Sequence, residues 1–181
     1  MSEIVVIFTC KTRKDIMEVG GAGWWKIDPT RVSTAGRVLL VHNANDPRQR
    51  GDQDRHGQAF LSGTVRHVRQ DEDGRWLIQF EEYAEVEGSF RWPGYRNPVA
   101  YMDADEVLGS VEAGEWQRMP EVGFPDAQAA RRAWDAAHGG RKAPSAASGS
   151  RSFGAVIEEH RQHLAEELGV DPQKVRIVIE A

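Results

Sequence analysis

The residues of this sequence best suited to a chemical task are planar rings, amides and cations rather than nucleophiles or metal ligands. Trp24, Trp25, Trp92, Tyr95 and Tyr101 stand in or beside turn-rich stretches, where side chains often serve recognition. Trp76 differs, because it lies on an alternating stretch and is expected in the core. Neighbouring strand residues point to opposite faces, so Trp24 and Trp25 cannot share one core layer. One is expected inside and the other on a pocket wall. Two or three such rings with the amides of Asn43, Asn45 and Asn97 suit a flat, polar ligand, and a nucleobase meets that description. Stacking on a ring is worth about 1–3 kcal/mol per base, and amides read the base edge. The plainer alternative is that the rings only pack the domain. For a nucleic acid, Lys11, Arg13, Lys14, Lys26, Arg48, Arg50 and Arg55 are the expected phosphate partners.

Other chemistries find less support. Of His42, His56, His67, His138, His160 and His163, no two have the spacing that puts two ligands on one helix face. His160 and His163 are three apart, yet no Cys/His zinc pattern completes a site. No metal and no cofactor are therefore expected. There is no Gly-x-Ser-x-Gly elbow. Cys10 with His42 or His67 is a conceivable nucleophile pair, but a buried structural thiol is the commoner fate. Gly20-Gly21-Ala22-Gly23 lacks the Lys-Ser/Thr ending of a phosphate loop and reads as a tight turn. Glu81, Glu82, Glu85 and Glu87 read as a solvated acidic stretch. No catalytic residue is expected.

Bulk properties bound the answer. The 181 residues are 40% hydrophobic and 28% charged, which suits one main domain with room for a small second unit. No apolar run approaches the roughly 18–20 residues that cross a bilayer. Glu3 precedes the short run Ile4–Phe8, unlike the basic lead of a signal peptide. With a single cysteine no internal disulfide is possible, which fits a cytoplasmic location. The net charge of −5 argues against indiscriminate nucleic-acid binding. It is unevenly spread: residues 1–69 carry 11 Lys+Arg against 7 Asp+Glu, and residues 70–118 carry 4 against 12. One side is basic enough to meet phosphates.

The elements that must position these residues are mostly strands. Ile4–Phe8 and Val38–Val41 read as buried strands, and Thr12 with Asp15 caps a short helix. Asp28-Pro29 reads as a turn, and residues 44–58 as a long polar loop. Ala59–Val68 and Arg75–Tyr83 pair around Asp71-Glu72-Asp73-Gly74. Residues 84–98 read as irregular, Val99–Met102 as a last strand, and Asp103–Leu108 as a helix. The expected fold is α+β, a small mixed, partly open β-barrel over residues 1–120 with flanking helices. A helical extension over 121–140 is capped by Asp126. A flexible linker over 141–150 leads to a small helix–strand appendage over 151–181. Its stripe of Phe153, Val156, Ile157, His160, Leu164 and Leu168 suits docking on the main domain, a second copy or a partner protein.

The stretch Gly36–Asn45, followed by Gly57-Gln58-Ala59-Phe60-Leu61-Ser62-Gly63-Thr64-Val65, resembles the PUA-like superfamily in its EVE, YTH and ASCH branches. Trp24-Trp25-Lys26 upstream and Trp92 with Arg96-Asn97-Pro98-Val99 downstream extend the likeness over roughly residues 3–118. The resemblance implies an aromatic pocket for a modified base extruded from DNA or RNA. It implies Trp24 or Trp25 as one wall, Trp92 as a second, and Asn43 and Asn45 as edge readers. The insertion between Asn45 and Gly57 departs from the pattern, and the Gly-x-Lys-x-x-Glu-x-Arg signature of catalytic ASCH proteins is missing. The expectation is a non-enzymatic reader of a nucleobase. The rivals are an interaction or oligomerisation scaffold and, third, a nucleoside hydrolase using Glu81 or Glu82. The first requires Trp24, Trp25, Asn43 and Trp92 to converge on one cavity.

Overall fold

The computed structural model describes residues 2–46, 48 and 55–138. Contacts divide the chain into Met1–Gly140 and Arg141–Ala181, and the linker and the helix–strand appendage lie outside the described residues. The first unit is a mixed α+β structure around a curled, half-barrel sheet. Its elements are β1 (Glu3–Thr9), α1 (Arg13–Val19), β2 (Gly21–Trp25), α2 (Pro29–Ala35), β3 (Arg37–His42), β4 (Ala59–Gln70), β5 (Trp76–Gly88), β6 (Val99–Asp103), α3 (Ala104–Leu108), β7 (Val111–Ala113), β8 (Gln117–Arg118) and α4 (Phe124–Ala137). The strand order is β2-β5-β4-β3-β1-β6, with β7 and β8 added to β5. Among these pairings only β1 with β3 is parallel, Val5 opposite Val38 through Thr9 opposite His42.

The period of two explains the two cores. Val5 and Ile7 join Val38, Leu40, Phe60, Ile78 and Phe80 on one face, closed by Ile16 of α1 and Val32 of α2. Ile4 and Val6 join Leu39, Val41, Val86 and Phe90 on the other, closed by Ala104 and Val107 of α3. The Thr12–Asp15 capping box starts α1, and Gly20 in the left-handed conformation ends it.

Four expectations need correction. Gly21, Ala22 and Gly23 are not a tight turn but the start of β2, paired with Gln79, Ile78 and Leu77 of β5. Asp28-Pro29 opens α2 rather than a turn: Asp28 accepts from the N–H groups of Thr30 and Arg31, and Pro29 takes the first helical position. Residues 84–88 are strand, because Ala84 and Val86 continue the buried alternation of β5. Finally, α4 begins after Gly123 rather than at Asp126, which falls in its first turn.

Candidate functional site

Because β1 and β3 are parallel, their carboxyl ends lie side by side. The Asn43 N–H donates to the Thr9 carbonyl at 2.7 Å, so both outgoing loops start from one place. Gly57 donates to the His42 carbonyl at 2.8 Å and accepts from the Trp92 N–H at 2.9 Å. Those bonds lay the segment around Gly57 between β3 and the loop after Arg91.

A ledge of four rings results. Phe8 and Trp92 stack with centroids 5.1 Å apart and planes within 3°. His56 meets Phe8 at 5.2 Å and 79°, and Tyr95 meets Trp92 at 5.8 Å and 74°. Such pairs add about 0.5–1.5 kcal/mol beyond burial. Asn45 Nδ2 donates to His56 Nε2 at 3.2 Å, bringing an amide to the ledge. Tyr95 is 53% exposed; Arg96 and Asn97, which follow it, and Arg55, which precedes His56, are exposed too. Asn97 Oδ1 accepts from the Val99 N–H, so part of its amide is committed to the backbone.

The expected cage of Trp24, Trp25 and Trp92 does not assemble. Trp24 is 6% exposed and packs with Val19, Leu77 and Ala127, its ring 5.9 Å from Phe124 and under the Arg131 guanidinium at 4.9 Å. It sits where the β2–β5 register shifts between Gly23 and Trp25. Trp25 turns to the Val5–Phe80 core instead, as the opposite-faces argument requires. Tyr101 belongs to a third place, accepting from the Asp28 N–H at 3.2 Å with Arg31 over its ring at 4.0 Å. Trp92, Asn43 and Asn45 thus remain near the strand ends, while Trp24, Trp25 and Tyr101 leave the site.

The cations also sort. Arg13 pairs with Glu85 and lies over Phe60, and Lys14 pairs with Glu18. Lys11 and Arg48 both lie over the Trp134 ring of α4, at 4.9 and 5.5 Å, and the His138 ring stacks on the same indole at 4.5 Å. These four cations are engaged within the chain. Lys26 and Arg55 are exposed, and Arg50 lies outside the described residues. Burial is the main cause lowering the Lys11 ammonium from its ordinary value, and it pushes the Cys10 thiol up to about 11. A thiol so placed is a poor nucleophile at neutral pH.

Arg48 donates from Nε and Nη2 to the two carboxylate oxygens of Asp46, at 2.9 and 2.6 Å, and these bonds hold the Asp46 carboxyl at about 2. Its folded-state value lies below the ordinary 3.8, so its contribution to stability is full above about pH 4 and is lost as pH falls toward 2. Thermal melts of Asp46→Asn between pH 6 and pH 2 should therefore show a flatter acid limb than the parent. Parallel curves through that window would contradict the assignment.

Glu81, the carboxylate of the hydrolase alternative, is bound by Arg66 at 2.6 Å, which holds it below the ordinary range. It lines a groove of about 570 Å³ with Arg66, His67, Glu121 and Phe124, which contains none of Trp24, Trp25 or Trp92. Phe8, His56 and Trp134 escaped the sequence argument. Phe8 prolongs an apolar run, and only its place at the end of that run hinted at an opening. No protein-family model matches the chain, and no curated protein or solved structure proves similar to it. No helix among the described residues is long and apolar enough to cross a membrane.

Proposed function

We propose that this protein is a non-enzymatic module that binds single-stranded nucleic acid by stacking bases on the Phe8–Trp92–Tyr95 ledge. The observation that carries this reading is the Phe8–Trp92 stack, extended by a Tyr95 ring left 53% exposed. The exposed Tyr95 ring, beside the half-buried Trp92, offers a face to any base, and a duplex keeps its base faces to itself. Asn45 supplies an amide for a base edge, and exposed Arg55 and Arg96 supply charge for phosphates. The curled sheet with its parallel β1–β3 pair is compatible with a PUA-like fold, which belongs to the same proposal. A modified base is included, read from the ledge rather than inside a closed cage.

The test is an anisotropy titration with fluorescein-labelled 12-mers of DNA and RNA, plain and base-modified. Trp92→Ala and Tyr95→Ala should each weaken binding by about 1–3 kcal/mol, roughly 5- to 150-fold. Binding should also weaken as salt rises. Variants that bind like the parent would remove the ledge from the mechanism. No binding by any oligonucleotide would leave the exposed rings to a protein partner, where Trp and Tyr are also common anchors.

A further inference from the structure

We propose that the last turn of α4 is a built-in competitor of the nucleic acid: its Trp134 occupies Lys11 and Arg48, which bind phosphate once that turn lifts. This rests on the ledge reading above and adds regulation to it. Trp134 offers a flat ring to both cations, with Lys11 Nζ 4.9 Å and the Arg48 guanidinium 5.5 Å from its centroid. The next residue, Asp135, pairs with Arg131 at 3.6 Å and adds negative charge to the neighbourhood of the two cations. A ring and an anion on adjacent positions present what a nucleotide presents: a base and a phosphate.

Lys11 follows Phe8 by three positions and Arg48 follows Asn45 by three, so the covered cations lie on the same two outgoing loops that supply the ledge. Asp46 stays with Arg48 and orients it, and Asp15 also faces Lys11. The last turn of α4 is its lightly held end. The first half is fixed by buried Ala127, by Phe124 and Ala130 against the Trp24 cluster, by Gln128 on Asp71 and by Arg131 on Asp71 and Asp73. Trp134 beyond it meets the domain through Lys11 and Arg48. Cation–ring contacts at such partly exposed sites are worth about 0.5–1 kcal/mol.

Two measurements on the full chain test this, with fluorescein-labelled dT12 as probe. In the first, Trp134→Ala/Asp135→Asn should bind dT12 more tightly than the parent. Its log–log salt slope should steepen by about 1.4, the value for two added phosphate contacts on a single strand. Adding Lys11→Ala and Arg48→Ala to that variant should return both quantities to the parent's. In the second, hydrogen exchange on the unaltered chain should show residues 134–137 exchanging faster when dT12 is saturating. This arm needs no substitution, so it decides the matter even where a variant melts low. Parent-like affinity and slope in the variant, or the amides of residues 134–137 unchanged or slowed by dT12, would overturn the competitor role while leaving the ledge intact. Failure of dT12 to bind parent and variant alike would instead overturn the ledge reading itself.

Discussion

Gly21→Ala should destabilise the protein by about 3 kcal/mol or more, at the upper end for overpacking. A Cβ at Gly21 would lie 2.0 Å from the Ile78 carbonyl oxygen and 2.9 Å from Gln79 Cα. Both obstacles are backbone, so no change of rotamer relieves them. The residue pairs with Gln79 at φ 156°, and Phe80 donates to the neighbouring Gly20 carbonyl at 2.9 Å. Pushing β2 off β5 would therefore disturb the strand that carries Leu77 under Trp24. Against a net stability of roughly 5–15 kcal/mol, such a loss lowers the melting temperature by about 10 °C or more. Gly36→Ala is the control. It has φ 68° but nothing within 4 Å of the added carbon, so only the conformational cost of about 1–2 kcal/mol remains. Equal melting temperatures for the two variants would show that β2 moves aside freely.

The second large effect is a coupling. Phe80 is 1% exposed, and its ring covers Gly63, where a Cβ would come within 2.4 Å of the ring. Phe80→Ala alone should cost about 3–5 kcal/mol, because it deletes the ring and leaves a hole. Gly63→Ala alone should cost about 1–3 kcal/mol, because the ring has no free space to retreat into. Combined, the new methyl occupies part of the vacated volume. In the Phe80→Ala background, Gly63→Ala should thus be nearly neutral or stabilising. Urea unfolding of the four proteins with a common m-value measures this. Additive costs would mean that ring and glycine do not share the space.

Local chemistry made much of the scaffold readable in advance. The Asp71–Gly74 turn between alternating runs announced β4 and β5, and Thr12 with Asp15 announced α1. Asp28-Pro29 misled because an acidic cap followed by proline opens helices and turns with the same two residues. The site was less legible. Periodicity says that neighbours face opposite sides, yet not which side stays open where both are buried. Phe8 and Ile4 share a face, but only Phe8 extends past the cover of α3 to meet Trp92 and His56. Trp24 was legible as the partner of Trp25 across the sheet. Its burial by Phe124 and Arg131 depends on residues about a hundred positions later, and no local pattern carries that.

The bridge from Arg131 to the hairpin tip spans 60 residues to Asp71 and 58 to Asp73. During synthesis, every strand of the sheet is therefore complete before the anchor of its longest hairpin emerges. A chain stopped at residue 120, where composition alone would draw a border, would leave Trp24, Val19 and Leu77 without the apolar cover of Ala127 and Phe124. Uncovered rings beside a strand edge invite association between nascent chains. The smallest fragment worth expressing accordingly ends beyond Ala137, and α4 protects the newborn sheet from its own copies.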